Sequence, residues 1–249
     1  MKRYLPELMA LSLYPLLAWQ GKRTRKLTPR LPEADGPNFG ICRPGLLTPR
    51  LFRLLSIGES PVAGVGVEHH DEAITAQFAQ ALALQFDTNV EWQALGQNGA
   101  DLAAALSDLL PKIPHCLPPV DLVLLAFGVN DTTAFRSVGR YRRELHRVLD
   151  NILLKVKPKQ IILSGVPPMH AFPALPQPLR SVLGIKAAAL DQVALDVADN
   201  YPQVIYAPMH LNVQDRSLIA HDGYHPSAKG AQLWASQLLR IFEKKWCDK

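Results

Sequence analysis

The chain has 249 residues, 48% hydrophobic and 20% charged, a composition that excludes a disordered or fibrous polymer and suits one large α/β domain with a core needing no disulfides. The net charge of +5 is local: residues 1–30 carry seven basic residues and Glu7, while the other 20 basic and 21 acidic residues leave the rest at −1. A near-neutral body excludes the positive groove that nucleic acid requires, and Cys42, Cys116 and Cys247, widely spaced and without a CxxC, exclude a zinc knuckle or redox pair.

Residues 1–30 form a unit of their own. "MKRYLPELMALSLYPLLAWQGKRTRK" has a basic start, an apolar stretch and a strongly basic end. The stretch, about fifteen residues, falls short of the roughly twenty that span a bilayer. No small-residue cleavage site follows it, and the basic run resists export. The segment reads as a helix lying on the inner membrane surface, which makes the protein cytoplasmic and membrane-attached. Two other readings compete: a helix packed on the protein's own body, and export with an uncleaved anchor. Residues 31–50 read as a Pro-rich connection, and residues 51–249 as the main domain.

Within that domain, strands and helices alternate. Short apolar runs over 51–58, 121–128, 160–167 and 203–209, with an alternating stretch over 89–95, predict five strands. Apolar residues at helical spacing predict helices over 71–86, 98–110, 136–156, 184–200 and 227–246, and Pro111 and Pro158 mark two helix ends. The prolines of 167–180 impose a stiff loop there. This alternation implies βαβ units and a parallel sheet with helices on both faces, a three-layer α/β/α sandwich whose site lies beyond the carboxyl ends of the strands.

Four stretches fall at those ends: "GES" with Ser60, "NGAD" with Gly99, "GVND" with Asn130, and "DGYH" with Asp222 and His225. A hydroxyl becomes a nucleophile only when a base takes its proton. His225 suits that role near neutral pH, Asp222 can hold its ring in one tautomer, and Pro226 suits the first turn of the following helix. The Ser60 N–H, the Gly99 N–H and the Asn130 carboxamide are candidate donors to an oxyanion. Each piece alone also fits a turn or a helix cap; their joint placement favours catalysis.

The ordered set resembles the SGNH hydrolase superfamily of GDSL-like lipases and esterases, from about Leu51 to Trp234. Gly128-Val129-Asn130-Asp131 and Asp222-Gly223-Tyr224-His225 match two of its blocks fully, and Gly99 matches the single-glycine block better than Gly96 does. The first block departs: Gly58-Glu59-Ser60 stands where the family has Gly-Asp-Ser. The resemblance implies a flavodoxin-like five-stranded parallel sheet, no metal and no organic cofactor. It implies Ser60 as nucleophile, His225 as base, Asp222 as orienter, and Ser60, Gly99 and Asn130 as oxyanion hole. The expected activity is hydrolysis of a small acyl ester or lipid-like ester through a Ser60 acyl-enzyme, with acyl transfer or thioester cleavage as alternatives on the same site. The α/β-hydrolase elbow G-x-S-x-G is absent, since Val62 stands at its last position. Met169, Phe172 and Leu175 of the Pro-rich loop are expected to shape an acyl pocket. Two readings of other classes compete: a metal hydrolase built on His69, His70, Asp71 and Glu72, and a membrane-associated binding protein disabled by Glu59.

Overall fold

The central strands of the sheet are buried on both faces, as a parallel sheet between helical layers requires. The structure is a computed structural model that describes residues 13–44, 51–114, 118–210 and 215–247. Residues 1–12 of the N-terminal segment, residues 45–50 of the Pro-rich connection and Cys116 lie outside the described residues. Among the described residues there are six strands: β1 (Phe39–Cys42), β2 (Leu51–Gly58), β3 (Asn89–Gly96), β4 (Leu122–Ala126), β5 (Gln160–Ser164) and β6 (Val204–Ala207), in the order β1-β3-β2-β4-β5-β6. The five predicted strands pair in parallel in the flavodoxin-like order, with β2 and β4 adjacent at the point where the order reverses.

β1 is the difference. It pairs antiparallel with β3 inside what the sequence presents as a connection, with Phe39 opposite Gln93 and Cys42 opposite Val90. A four-residue strand containing Gly40 and flanked by prolines carries little local strand signal, and its partner strand lies fifty residues on. The segment before it is equally ordered. Ala34 N–H donates to the Ala63 carbonyl at 3.1 Å, and Asp35 N–H to the Glu68 carbonyl at 2.9 Å.

The helices are α1 (Tyr14–Leu27), α2 (Ile74–Phe86), α3 (Leu102–Ala104), α4 (Val129–Thr133), α5 (Val138–Lys155), α6 (Leu179–Ala198) and α7 (Ala228–Cys247). Alternate residues of each strand divide the core. Val123, Leu125, Ile161 and Leu163 pack with α5 and α6 on one face, while Leu122, Leu124 and Ile162 pack with α2 and α7 on the other. In α5 the buried residues Tyr141, Leu145, Val148, Leu149 and Ile152 recur at helical spacing, and the Ser137 hydroxyl caps its start by accepting from Arg140 N–H. α3 is one turn that runs on as a wider helix over Ala105–Leu109 and a tight turn over Leu110–Lys112, where Pro111 ends it.

α6 begins five residues before its predicted start. Pro178 stands at its N-cap without a side-chain cap of its own. The buried Gln20 of α1 supplies one instead: its Oε1 accepts Leu179 N–H at 3.1 Å, and its Nε2 donates to the Gln177 carbonyl at 2.7 Å. A cap from 159 positions away in the chain leaves no local trace.

Two glycines, at the end of β3 and just beyond it, separate backbone contact from backbone conformation. A Cβ on Gly96 would lie 2.2 Å from the Ala63 nitrogen, whereas one on Gly99 would meet only open space, though at a φ of +81°. Gly96→Ala is therefore expected to cost about 2–3 kcal/mol through overpacking, and Gly99→Ala about 1–2 kcal/mol through strain alone. Urea unfolding of both variants checks this; equal midpoints would mean that the turn at Ala63 gives way freely.

Candidate active site

β2 delivers Glu59 and Ser60 into a tight turn. The Glu59 carbonyl accepts from the N–H groups of Val62 and Ala63, and the Ser60 carbonyl from Val65 N–H at 2.9 Å. The turn sits close to the end of the sheet because Gly58 and Gly96 have no side chains: a Cβ on Gly58 would meet Val62 at 2.5 Å and the Ala126 carbonyl at 2.7 Å. On its other side, Gly66 (φ +107°) comes so near the C-terminal loop that a Cβ there would lie 2.3 Å from the Pro226 carbonyl and 3.0 Å from the His225 Cβ. Backbone therefore lies against backbone between the Ser60 turn and the His225 segment.

Asp222 and His225 form a close pair. His225 Nδ1 lies 2.6 Å from Asp222 Oδ2, and Asp222 Oδ1 accepts the N–H groups of Tyr224 at 2.9 Å and His225 at 3.1 Å. Gly223, at φ +70°, makes the turn that folds the carboxylate back onto the ring. Burial alone would raise the Asp222 carboxyl, but the His225 ring and the two N–H groups outweigh it and hold the group below its ordinary value. An ionised Asp222 facing Nδ1 favours the tautomer that leaves Nε2 as a proton acceptor.

Ser60 and His225 line one pocket, of about 890 Å³ counted with its open mouth. Phe127, Phe172, Leu218, Ile219, Leu233 and Trp234 make its walls largely apolar. Of the three residues expected to bind substrate, Phe172 lines the pocket, its ring edge-on to Tyr224 at 4.9 Å between centroids. Met169 and Leu175 do not; both are buried in the core on the α6 side, where the Pro-rich loop turns its apolar residues inward. The walls that the sequence reading missed come from α7 and from residues 218–219. Their apolar residues look like ordinary helix and turn packing in sequence.

Gly99 and Asn130 also stand outside the pocket lining. Gly99 is exposed on a loop that Gln97 N–H ties to the Gly58 carbonyl at 3.2 Å and that Glu33 holds from the other side, accepting Asn98 N–H at 2.7 Å. Asn130 is engaged more fully. Its Nδ2 donates to Glu59 Oε2 at 2.7 Å and to the Ala100 carbonyl at 2.9 Å, which uses both carboxamide hydrogens. Glu59 itself is buried against the start of α4, where Oε1 accepts Val129 N–H and Oε2 accepts Asn130 N–H, each at 3.0 Å. The residue that departs from the family's first block is thus the one that ties down the third.

Residues 69–72 serve a local purpose. They form a 3₁₀ turn in which Glu72 Oε2 accepts Glu68 N–H at 3.2 Å, ahead of α2.

Comparison with known proteins comes to the same region. The model of the GDSL-like Lipase/Acylhydrolase family matches residues 56–233. A GDSL-like esterase of Mycobacterium tuberculosis is 24% identical over 238 residues, covering 90% of this chain and 74% of that protein. The crystal structure of a lipase/acylhydrolase from Enterococcus faecalis superposes with a TM-score of 0.55 at 22% identity, over 78% of this chain and 96% of its own. The psychrotrophic esterase EstA from Pseudoalteromonas sp., in a structure inhibited by monoethylphosphonate, does so with a TM-score of 0.58 at 16% identity, over 79% and 99%.

Two buried carboxyls beneath the site give stability a pH dependence. Burial, reinforced by the nearby Asp131 charge and opposed by its hydrogen bonds, pushes Glu59 up to about 8 from an ordinary 4.5. Burial and the Asp101 charge push Asp131 up to about 7 from 3.8. The folded chain then holds protons that the unfolded chain has already lost. The stability that these two groups contribute is fully present below the ordinary carboxyl range and is lost as pH rises through about 7 and about 8. Thermal unfolding from about pH 5 to about pH 9 is expected to show a falling midpoint, with the decline reduced in Glu59→Gln and in Asp131→Asn. A wild-type midpoint that is flat or rising there would mean that both carboxylates are ionised in the fold.

Proposed function

This chain belongs to the GDSL-like lipase/acylhydrolase family, enzymes that hydrolyse esters, and within that chemistry we propose a serine mechanism in which Ser60 carries the acyl group. The observation that carries the reading is the Asp222–His225 pair at 2.6 Å, set on the pocket that Ser60 also lines. His225 Nε2 takes the Ser60 proton as Oγ attacks the ester carbonyl. Asp222 stabilises the imidazolium that forms. The proton passes to the departing alkoxide and the alcohol leaves; a water then gives a proton to His225 as it attacks the acyl carbon, and that proton returns to Ser60 Oγ as the acid departs.

The oxyanion falls to the backbone N–H groups of Ser60 and Gly99, which carry no hydrogen bond among the described residues. The Asn130 carboxamide joins them only by exchanging its bond to Glu59 or to the Ala100 carbonyl for one to the substrate. Glu59 thereby sets how readily Asn130 turns toward substrate. The apolar walls suit an acyl ester of small or medium size.

Three measurements test this reading. A fluorophosphonate probe is expected to label the wild type and not Ser60→Ala, with p-nitrophenyl acetate turnover lost in parallel; no labelling of folded wild type would refute the serine mechanism. Asn130→Ala is expected to lower kcat by about 10²-fold or more with little change in KM. An effect confined to KM would remove Asn130 from the transition state. Glu59→Asp is expected to raise kcat if the Glu59–Asn130 bond restrains the carboxamide, and Glu59→Ala to lower it by freeing the start of α4.

A further inference from the structure

α1 has two faces with different chemistry. Inward, Leu17 is buried in the core and Gln20 caps α6. Outward, the helix carries Lys22, Arg23 and Lys26, with Arg25 on the flank toward Tyr224 and no acidic residue anywhere in Tyr14–Leu27. On the same outward side Trp19 is 55% exposed, and Tyr14, Leu16 and Leu27 at its flanks are exposed as well. The Arg23 guanidinium lies over the Trp19 ring at 5.3 Å. None of the four cations has an ion-pair partner among the described residues. A helix packed only for its own fold has no use for an indole and several unpaired cations facing water. An interfacial helix places such groups together, aromatic rings at headgroup depth and cations at lipid phosphates.

We propose that the outward face of α1 docks the protein on an anionic bilayer surface, with Trp19 entering the headgroup layer and Lys22, Arg23 and Lys26 meeting lipid phosphates. The helix lies along the surface: among the described residues, no helix is long and apolar enough to cross a membrane. Its rigid attachment through Gln20 ties docking to the orientation of the whole domain.

α1 also borders the catalytic loops. Trp19, Arg23 and Leu27 share a surface groove with Ala174, Pro176 and Asp222. If Ser60 acts as argued above, and only then, docking brings the esterase site close to esters dissolved in the lipid phase.

Co-sedimentation of the full chain with vesicles separates docking from catalysis when it is run on Ser60→Ala, which needs no activity to report binding. Binding is expected to vesicles of phosphatidylcholine with about one third phosphatidylglycerol, to be weak with phosphatidylcholine alone, and to fall with added salt. Lys22→Glu/Lys26→Glu is expected to bind at least about thirtyfold more weakly, and Trp19→Ala to bind more weakly with the salt dependence retained. Both variants should keep the circular dichroism spectrum and thermal midpoint of the Ser60→Ala parent, which confirms that they are folded. Equal binding to the two kinds of vesicle, or charge-reversed protein that binds like wild type, would overturn the proposal. Retention on polyglutamate with no vesicle binding would overturn it in favour of an acidic protein partner.

Discussion

The arrangement at the carboxyl edge of the sheet depends on backbone approaching backbone at distances where no side chain fits. The Ser60 turn is held between the end of β3 at Gly96 and the His225 segment at Gly66, and at both positions a single carbon would collide with main-chain atoms. Main chain offers few ways to yield, since every displacement drags hydrogen-bonded neighbours with it. The hydroxyl and the imidazole are therefore registered by the frame of the fold and not by long side chains reaching across a gap. A misplacement of about 1 Å costs about a hundredfold in such chemistry.

Beneath that contact lies a second constraint, electrostatic in nature. Glu59 spends its carboxyl on the start of α4 and on the Asn130 side chain, and it does so without solvent. Three donors favour its charge, but burial outweighs them and pushes the group up to about 8. The neighbouring Asp131 is in a similar state, with Oδ1 unpartnered and Oδ2 accepting Leu102 N–H at 3.2 Å. Two buried carboxyls thus stand under one loop, both raised by burial, between the apolar clusters of the two sheet faces.

Much of this was legible in the residues alone, and the gaps have physical causes. The central strands announce themselves because strands buried on two faces are apolar, as Leu122–Ala126 is, and Asn89–Gly96 does so by its alternation. The Asp222–His225 pair is legible because three residues of turn suffice to close it. β1 is not, because an edge strand borrows its order from β3, and the start of α6 is not, because Gln20 caps it from another helix. The pocket walls were sought in the loop nearest in character, whose Met169 and Leu175 face the core instead. Both hydrogens of Asn130 were taken by partners that no motif records, one of them a carbonyl.

The apolar wall contributed by α7 separates two kinds of change. Leu233 and Gln237 stand one turn apart on a helix that holds none of the proton-transfer groups, and each lines the pocket. Replacing either alters the length and polarity of the slot while the strand tips stay as they are. Under the serine mechanism proposed above, the shape of the slot can thus drift by single exchanges on a helix surface while Ser60, Asp222 and His225 stay in place.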